Sequence, residues 1–513
     1  MQVKKIALLC ALACAGLSGS AMAAMTPAQA AIVDDANKGD DGIVGTADDR
    51  VIFISGASAT QKGLNGIIAS MFTGTPIRFA NTTAASKDFE AVAGVLAAGN
   101  GAWSNKNVIM IDRVKGGSVF GVDPVARATA IESLKVTSAC GATGVGDATT
   151  PYVCAVTSAA EYMVPDAGVS DVAPAMFQSP INTEGEIAAP ALNEAEMAEL
   201  VATPIYGLAF GVPVTKNVVK YASGLPTANL PNLNKAAVSA IMTGNVGTWD
   251  QVDSSLPADD IVVCRRVPGS GTQAVDNLYF GNYPCDTSSA FNTPADRDSS
   301  GAWDRTAAWT WTDTSVTPNV TYSGVGKYTV GANTGGLVVV ENSTSGDVVS
   351  CLDKAVTGGT YVGKDRDGNK VLVEMTAGRK AIGVLSMDSL SKSKAAGNWQ
   401  FRSLDGAGTY VGDNMSAPVA TGTGKFPTLA SYVDGTWDLQ GWISFNIPNR
   451  TVGEKRAVVE NFLLQAQNPA ILASITDLKN VAAAIPGGAY SGAQVLRSAY
   501  VNGNQCAPLN RNY

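Results

Sequence analysis

The sequence predicts an α/β fold in two lobes, with largely parallel sheets and β-rich insertions. Three observations carry this. The chain has 513 residues, too many for one hydrophobic core. Short apolar runs repeatedly break at Gly/Ser/Thr turns and lead into segments of helical periodicity, the alternation that builds parallel sheets. Polar stretches rich in Thr, Trp, Asp and Gly separate these units, and their turn signals between β-prone runs mark hairpins.

The chain opens on a secretory signal. Lys4 and Lys5 precede a run of apolar or small residues from Ile6 to Leu17, and Ala21-Met22-Ala23 places small residues at a cleavage site, so residues 1–23 are removed. A lipoprotein alternative through Cys14 puts Ala11 where Leu is usual. No later stretch reaches about 18 uninterrupted apolar residues, so no membrane insertion is expected. Residues 24–50 are Ala-rich, then acidic and Gly-rich. Residues 34–42 resemble a cation-binding loop but lack the alternating Asp and terminal Glu of an EF-hand, so 24–50 reads as a solvated linker.

The first strand is Val51-Ile52-Phe53-Ile54. It ends at Ser55-Gly56-Ala57-Ser58-Ala59-Thr60, and Leu64, Ile67, Ile68, Met71 and Phe72 continue with helical spacing. Val108–Ile111 runs into Gly116-Gly117-Ser118. Ile205–Val212 is a long apolar segment, and Ile261–Cys264 runs into Gly269-Ser270-Gly271-Thr272. Residues 286–335, 355–377 and 400–440 read as β-hairpin elaborations, and 452–475 as an amphipathic helical stretch.

Composition excludes whole classes of chemistry. There is no histidine, which removes Ser-His-Asp triads, Cys-His pairs and HExxH zinc sites. Lys+Arg number 36 and Asp+Glu 44; without Lys4 and Lys5 the balance is 34 against 44, a net of −10. That disfavours nucleic acid and anionic membrane as partners. A small anion is still admissible, because helix N-termini bind anions through unpaired N–H groups and a partial positive charge. Beyond the signal six cysteines remain, an even count that suggests disulfides in an exported chain. Sequence proximity favours Cys140–Cys154 and Cys264–Cys285, leaving Cys351–Cys506; free buried thiols are the alternative. No metal or cofactor is expected.

The segment Ile261-Val262-Val263-Cys264-Arg265-Arg266-Val267-Pro268-Gly269-Ser270-Gly271-Thr272 resembles the anion-binding segment of the periplasmic phosphate-binding proteins, the solute-binding components of the ABC phosphate transporter. Ala240–Gly244 with Thr248-Trp249-Asp250, Ser55–Thr60, Val169–Pro174, Pro204–Pro213, Arg379–Ser386 and Trp442–Pro448 resemble further family motifs in collinear order. The resemblance implies a type II periplasmic-binding-protein fold. Lobe one takes residues 51–205 and 446–513, and lobe two takes 206–445. It implies phosphate or a related oxyanion as ligand, an ABC permease as partner, a monomer in the periplasm or secreted, and no enzyme activity.

The same resemblance assigns Ser58, Ala59, Thr60 and Gln61 to the first anion-contacting turn, and Gly117 and Ser118, with Gly116, to the second. Asp171 becomes the acid that accepts a proton from the ligand. Arg266, Ser270, Gly271 and Thr272 form the last cluster. Ionised carboxylate can only accept, so Asp171 would select a protonated phosphate over sulfate. Pro268 departs from the family, which carries an acid there, and Gln61 replaces an aromatic-type residue. Two other readings are a surface or secreted interaction protein reusing this fold, favoured by the long insertions, and a phosphatase-like relative, which lacks a base to activate Ser58 or Ser270.

Overall fold

The computed structural model describes residues 24–511 apart from 84–86, 142–143, 180, 184–190, 223–224, 230–232, 287–293, 295–301, 316–318, 332–334, 393–396, 406–407, 412–418, 423–426 and 488–491. The signal segment 1–23 lies outside the described residues. The chain is of the α/β class. Its main sheet has 14 strands, in two halves joined by two long strands.

In the first half, Val51–Ser55 pairs in parallel with Asn107–Arg113 on one side and Ala167–Ser170 on the other. Phe89–Val95 and Ile77–Ala80 extend it antiparallel. In the second half, Ile261–Arg266 lies between Val338–Asn342 and Lys380–Gly383, parallel to both. The two joining strands, Leu200–Thr215 and Gln440–Pro448, run antiparallel over most of their length. Gln440–Pro448 also pairs with Ala167–Ser170, and Leu200–Thr215 with Lys380–Gly383. Strands enclosed on both faces become uniformly apolar, and Ile52, Ile54, Met110, Val262 and Val339 share one continuous core.

The expected hairpins are present. Ala302–Asp313, Val320–Val330, Gly359–Lys364 and Lys370–Met375 form a separate four-stranded sheet. Gly408–Val411 and Val419–Gly422 form another hairpin. The stretch 452–475 divides into the helices Gly453–Ala466 and Pro469–Ser474, the first closed at Gln467 and the second capped by Asn468 with Pro469 at its first position.

Two expectations are corrected. Residues 24–50 are not a free linker. Pro27–Lys38 is a helix opened by a capping box at Thr26, and it buries Val33 and Ala36 in a second core with Phe53, Ile109 and Ile111. Val33 and Ala36, flanked by the partly buried Ala30 and Ile32, supply the apolar stripe. Buried Arg50 pairs with Asp35 and Asp40 at 2.7 Å each and draws the acidic loop onto the domain. Asp48 accepts from the amide of Asp41 at 2.8 Å. Among the described residues no acidic cluster is placed to hold a metal.

The second correction is the disulfide pairing. Cys140 joins Cys154, but Cys264 joins Cys351 and Cys285 joins Cys506. Cys264 sits on a strand and Cys351 on the helix Ser345–Thr357 that packs against it, and both are wholly buried. Packing of helix on strand, not nearness in sequence, brings those sulfurs together. Among the described residues no helix is long and apolar enough to cross a membrane.

Candidate functional site

Ligands in open α/β sheets bind beyond the carboxyl ends of the parallel strands, and five chain segments meet there. The first strand ends at Gly56, whose amide donates to Arg113 O at 2.8 Å; the helix Gln61–Ser70 follows. The strand Asn107–Arg113 leads to Gly116-Gly117-Ser118. Ala167–Ser170 ends at Asp171. Ile261–Arg266 leads through Gly269 and Ser270 into the helix Gly271–Gly281. Val338–Asn342 leads through Thr344 into the helix Ser345–Thr357.

The centre is a buried polar group. The amide of Val119 donates to Gly269 O at 3.0 Å, tying the second turn to the fourth. Gly117 packs so closely that a Cβ there would lie 2.3 Å from Gly269 O. Ser118 Oγ accepts from the amide of Asp171 at 3.1 Å. Thr272 Oγ1 donates to Asp171 Oδ2 at 3.2 Å. A Cβ on Gly271 would meet Ser118 Oγ at 2.2 Å and Asp171 Cβ at 2.6 Å, so only glycine admits this approach. Ser270 caps the helix, accepting from the amide of Gln273 at 3.4 Å.

Arg266 is 2% exposed and faces inward. Its Nε donates to Ser343 O at 3.1 Å and Asn342 O at 3.3 Å, and Nη2 also reaches Ser343 O. Nη1 donates to Ser345 Oγ at 3.1 Å and Thr272 Oγ1 at 3.4 Å. The guanidinium therefore joins the Gly-Ser-Gly-Thr turn to the start of the helix Ser345–Thr357.

Asp171 is 1% exposed. Burial pushes its carboxyl up to about 6, against the opposing pull of Arg266 and of the hydrogen bond from Thr272. Its second oxygen, Oδ1, has no hydrogen-bond partner. A buried acceptor without a donor is costly, and a ligand carrying a proton donor would satisfy it.

Beside this group lies a cavity of about 20 Å³ between the two halves, lined by Ser58, Gln61 and Lys87 on one side and Ser345, Gly346 and Asp388 on the other. Ser58 Oγ is buried without a partner. The structure thus brings together Gly117, Ser118, Asp171, Arg266, Ser270, Gly271 and Thr272, and sets Ser58 and Gln61 at the adjoining cavity. The side chain of Gln61 is turned to the wall, donating to Lys87 O and Glu90 Oε2 at 2.9 and 3.0 Å. Thr60 uses its hydroxyl within its own turn, on Ala57 O at 2.9 Å. Ala59 is buried. No hydrogen bond among the described residues joins Ala59 or Thr60 to the Asp171 group.

Sequence reasoning missed the segment Thr344-Ser345-Gly346-Asp347. The signal was there: an apolar run, Val338-Val339-Val340, followed by Thr-x-x-Asp. That capping box is formed, with Thr344 Oγ1 accepting from the amide of Asp347 at 3.1 Å. Asp388 and Ser389 carried no such signal, since they follow a strand of two residues, Leu385–Ser386.

No protein-family model matches the chain, and no curated protein matches it. Similar solved structures include an ABC-type phosphate transport receptor from Vibrio cholerae, 10% identical with a TM-score of 0.34, covering 83% of this chain and 98% of that one. A second is the ancestral soluble variant of the human phosphate binding protein, 13% identical with a TM-score of 0.40, covering 84% and 90%. A third is a phosphate binding protein from Stenotrophomonas maltophilia, 13% identical with a TM-score of 0.33, covering 82% and 84%.

Proposed function

We propose that this chain is an exported solute-binding protein that holds phosphate or a related protonated oxyanion between its two halves and performs no chemistry on it. The observation that carries the reading is Asp171: buried, raised to about 6, and left with an unpartnered oxygen beside Arg266 and Thr272. Arg266 and the hydroxyls of Ser345 and Ser58 supply donors for the anionic oxygens, and Asp171 accepts a hydrogen bond from the ligand's own proton. A fully ionised sulfate would set acceptor against acceptor at that point. The absence of histidine leaves the serines without the usual base, which supports binding over hydrolysis.

The halves, residues 51–205 with 446–513 and residues 206–445, act as lobes. Leu200–Thr215 and Gln440–Pro448 serve as the hinge. A cavity of about 20 Å³ has room for about one or two waters, so a tetrahedral anion enters as the lobes part. A cognate ABC permease would receive the ligand from the monomer in the periplasm. The test is calorimetry and thermal unfolding of the purified protein with phosphate, arsenate and sulfate. Phosphate should raise the melting temperature progressively with the logarithm of its concentration above Kd and sulfate should not. No response to any oxyanion would overturn the reading.

A further inference from the structure

The three disulfides differ in access to solvent. Cys264 and Cys351 are fully buried, and Cys140 and Cys154 nearly so. Cys506 is exposed and Cys285 half-buried. The accessible bridge also closes the longest span, 221 residues.

Its position couples it to the anion turn. Cys285 follows the helix Gly271–Gly281, whose first turn packs Gly271 and Thr272 on Asp171. Farther along that helix Asn277 Nδ2 donates to the buried Asn182 Oδ1 at 2.7 Å. Just beyond it the Tyr283 hydroxyl donates to Gln178 O and Ser179 O, both at 3.1 Å. On the other sulfur's side, Gln505 Oε1 accepts from the amide of Ala173 at 2.9 Å, two residues beyond Asp171. A closed circuit results: Asp171 to Ala173, Gln505, Cys506, Cys285, the helix, and back through Thr272 to Asp171. Among the described residues the bridge is the one disulfide that ties the end of the helix to the terminal hairpin of Ser498–Tyr500 and Leu509–Arg511.

We propose that Cys285–Cys506 is a thiol–disulfide exchange site, open to a low-molecular-weight thiol, whose state sets how firmly the cleft is held. The incoming thiolate attacks Sγ of the exposed residue Cys506. The Cys285–Cys506 bond breaks, a mixed disulfide forms on Cys506, and Cys285 leaves as thiolate and takes a proton from solvent. A second small thiol, as thiolate, attacks the small-molecule sulfur of that mixed disulfide. Cys506 leaves as thiolate and is protonated, so the protein gains two electrons and the small thiols leave as their own disulfide. With the bridge open, the helix Gly271–Gly281 and the hairpin are held to the chain around Asp171 by hydrogen bonds and apolar packing, with no covalent tie between them. The coupling to anion retention rests on the oxyanion reading above; the exchange itself does not.

The full folded protein is incubated with low concentrations of dithiothreitol, trapped with iodoacetamide and mapped by peptide mass spectrometry. Cys285 and Cys506 should be labelled at least about tenfold faster than the other four cysteines, as accessibility controls exchange. Labelling of Cys264 or Cys140 at the same rate would overturn the assignment. Dissociation of inorganic phosphate is then measured for the intact protein, the selectively reduced protein and the Cys285→Ser/Cys506→Ser double variant. An increase of about tenfold is expected in both altered forms, from lost preorganisation. Unchanged dissociation from a protein that binds phosphate refutes the coupling alone. Failure of the intact protein to bind phosphate removes the oxyanion reading and the coupling with it, and leaves the labelling result standing.

Discussion

Replacing Asp171 with Asn tests the centre of the site, because it keeps the shape and removes the charge. The carboxyl rises from an ordinary 3.8 to about 6, so burial disfavours its ionised form by about two pKa units, or about 3 kcal/mol. The sign follows from linkage. Below about pH 4 the group is protonated in both folded and unfolded chains and contributes no penalty. Between about 4 and 6 the unfolded chain ionises first, so stability falls as pH rises, and above about 6 the full penalty stands. Asp171→Asn should therefore leave stability in urea nearly unchanged at pH 4. At pH 7.5 it should raise stability by up to about 3 kcal/mol, its carbonyl oxygen still able to accept from Thr272. The same variant should weaken phosphate and relax the exclusion of sulfate, because an amide can donate to a fully ionised oxygen. A variant less stable than the parent at pH 7.5, or with the same pH slope, would refute the claim that this carboxyl is held against its preference for water.

Gly271→Ala drives a Cβ to within 2.2 Å of Ser118 Oγ and 2.6 Å of Asp171 Cβ. It should cost about 1–3 kcal/mol as overpacking and abolish phosphate binding by calorimetry. Arg266→Ala removes the guanidinium donors from Ser343 O and leaves Asn342 O to the amide of Val267, so it should lower the melting temperature as well as abolish binding; Arg266→Lys, which keeps charge without the planar fork, should retain more of the fold than of the affinity. Opening the buried Cys264–Cys351 bridge by Cys264→Ala should cost about 2–5 kcal/mol in urea unfolding. In the free protein Asp276 and Asp347 are raised by burial to about 7 and about 6. Their contributions share the sign of Asp171, so urea midpoints should fall from pH 4 to pH 7.

Strand-to-turn-to-helix units were legible because their signals are local. Val51–Ile54 followed by Gly and Ser, and Ile261–Cys264 followed by Gly-Ser-Gly-Thr, announce an edge where amides and hydroxyls gather. The inward course of Arg266 was legible only through the resemblance, since an arginine after an apolar run is as compatible with a surface. What could not be read depends on packing between distant segments. Nothing near Cys264 marks Cys351 as its partner; the pairing is set by which face of Ser345–Thr357 lies on the sheet. Nothing near Pro27–Lys38 shows that its Val33 and Ala36 pack with Phe53 and Ile111. Asp388 reaches the cavity from a two-residue strand with no periodicity to detect.

The position of Pro268 shows how the site solves a problem its sequence poses. The family resemblance places an acid there to orient the arginine, and proline offers neither charge nor amide hydrogen. Orientation comes instead from the neighbouring strand. Val338–Asn342 runs parallel to Ile261–Arg266 with Arg266 opposite Asn342, so the chain beyond Asn342 emerges beside the guanidinium. The carbonyls of Asn342 and Ser343 then accept from its Nε, with Ser343 accepting from Nη2 as well. Carbonyl dipoles fix direction without cancelling a full unit of charge. Nη1 is left aimed at Thr272 and Ser345, the hydroxyls beside Asp171 and the cavity. Arg266 thereby reaches the Asp171 group through the Thr272 hydroxyl, with its direction set by carbonyls rather than by a neighbouring acid.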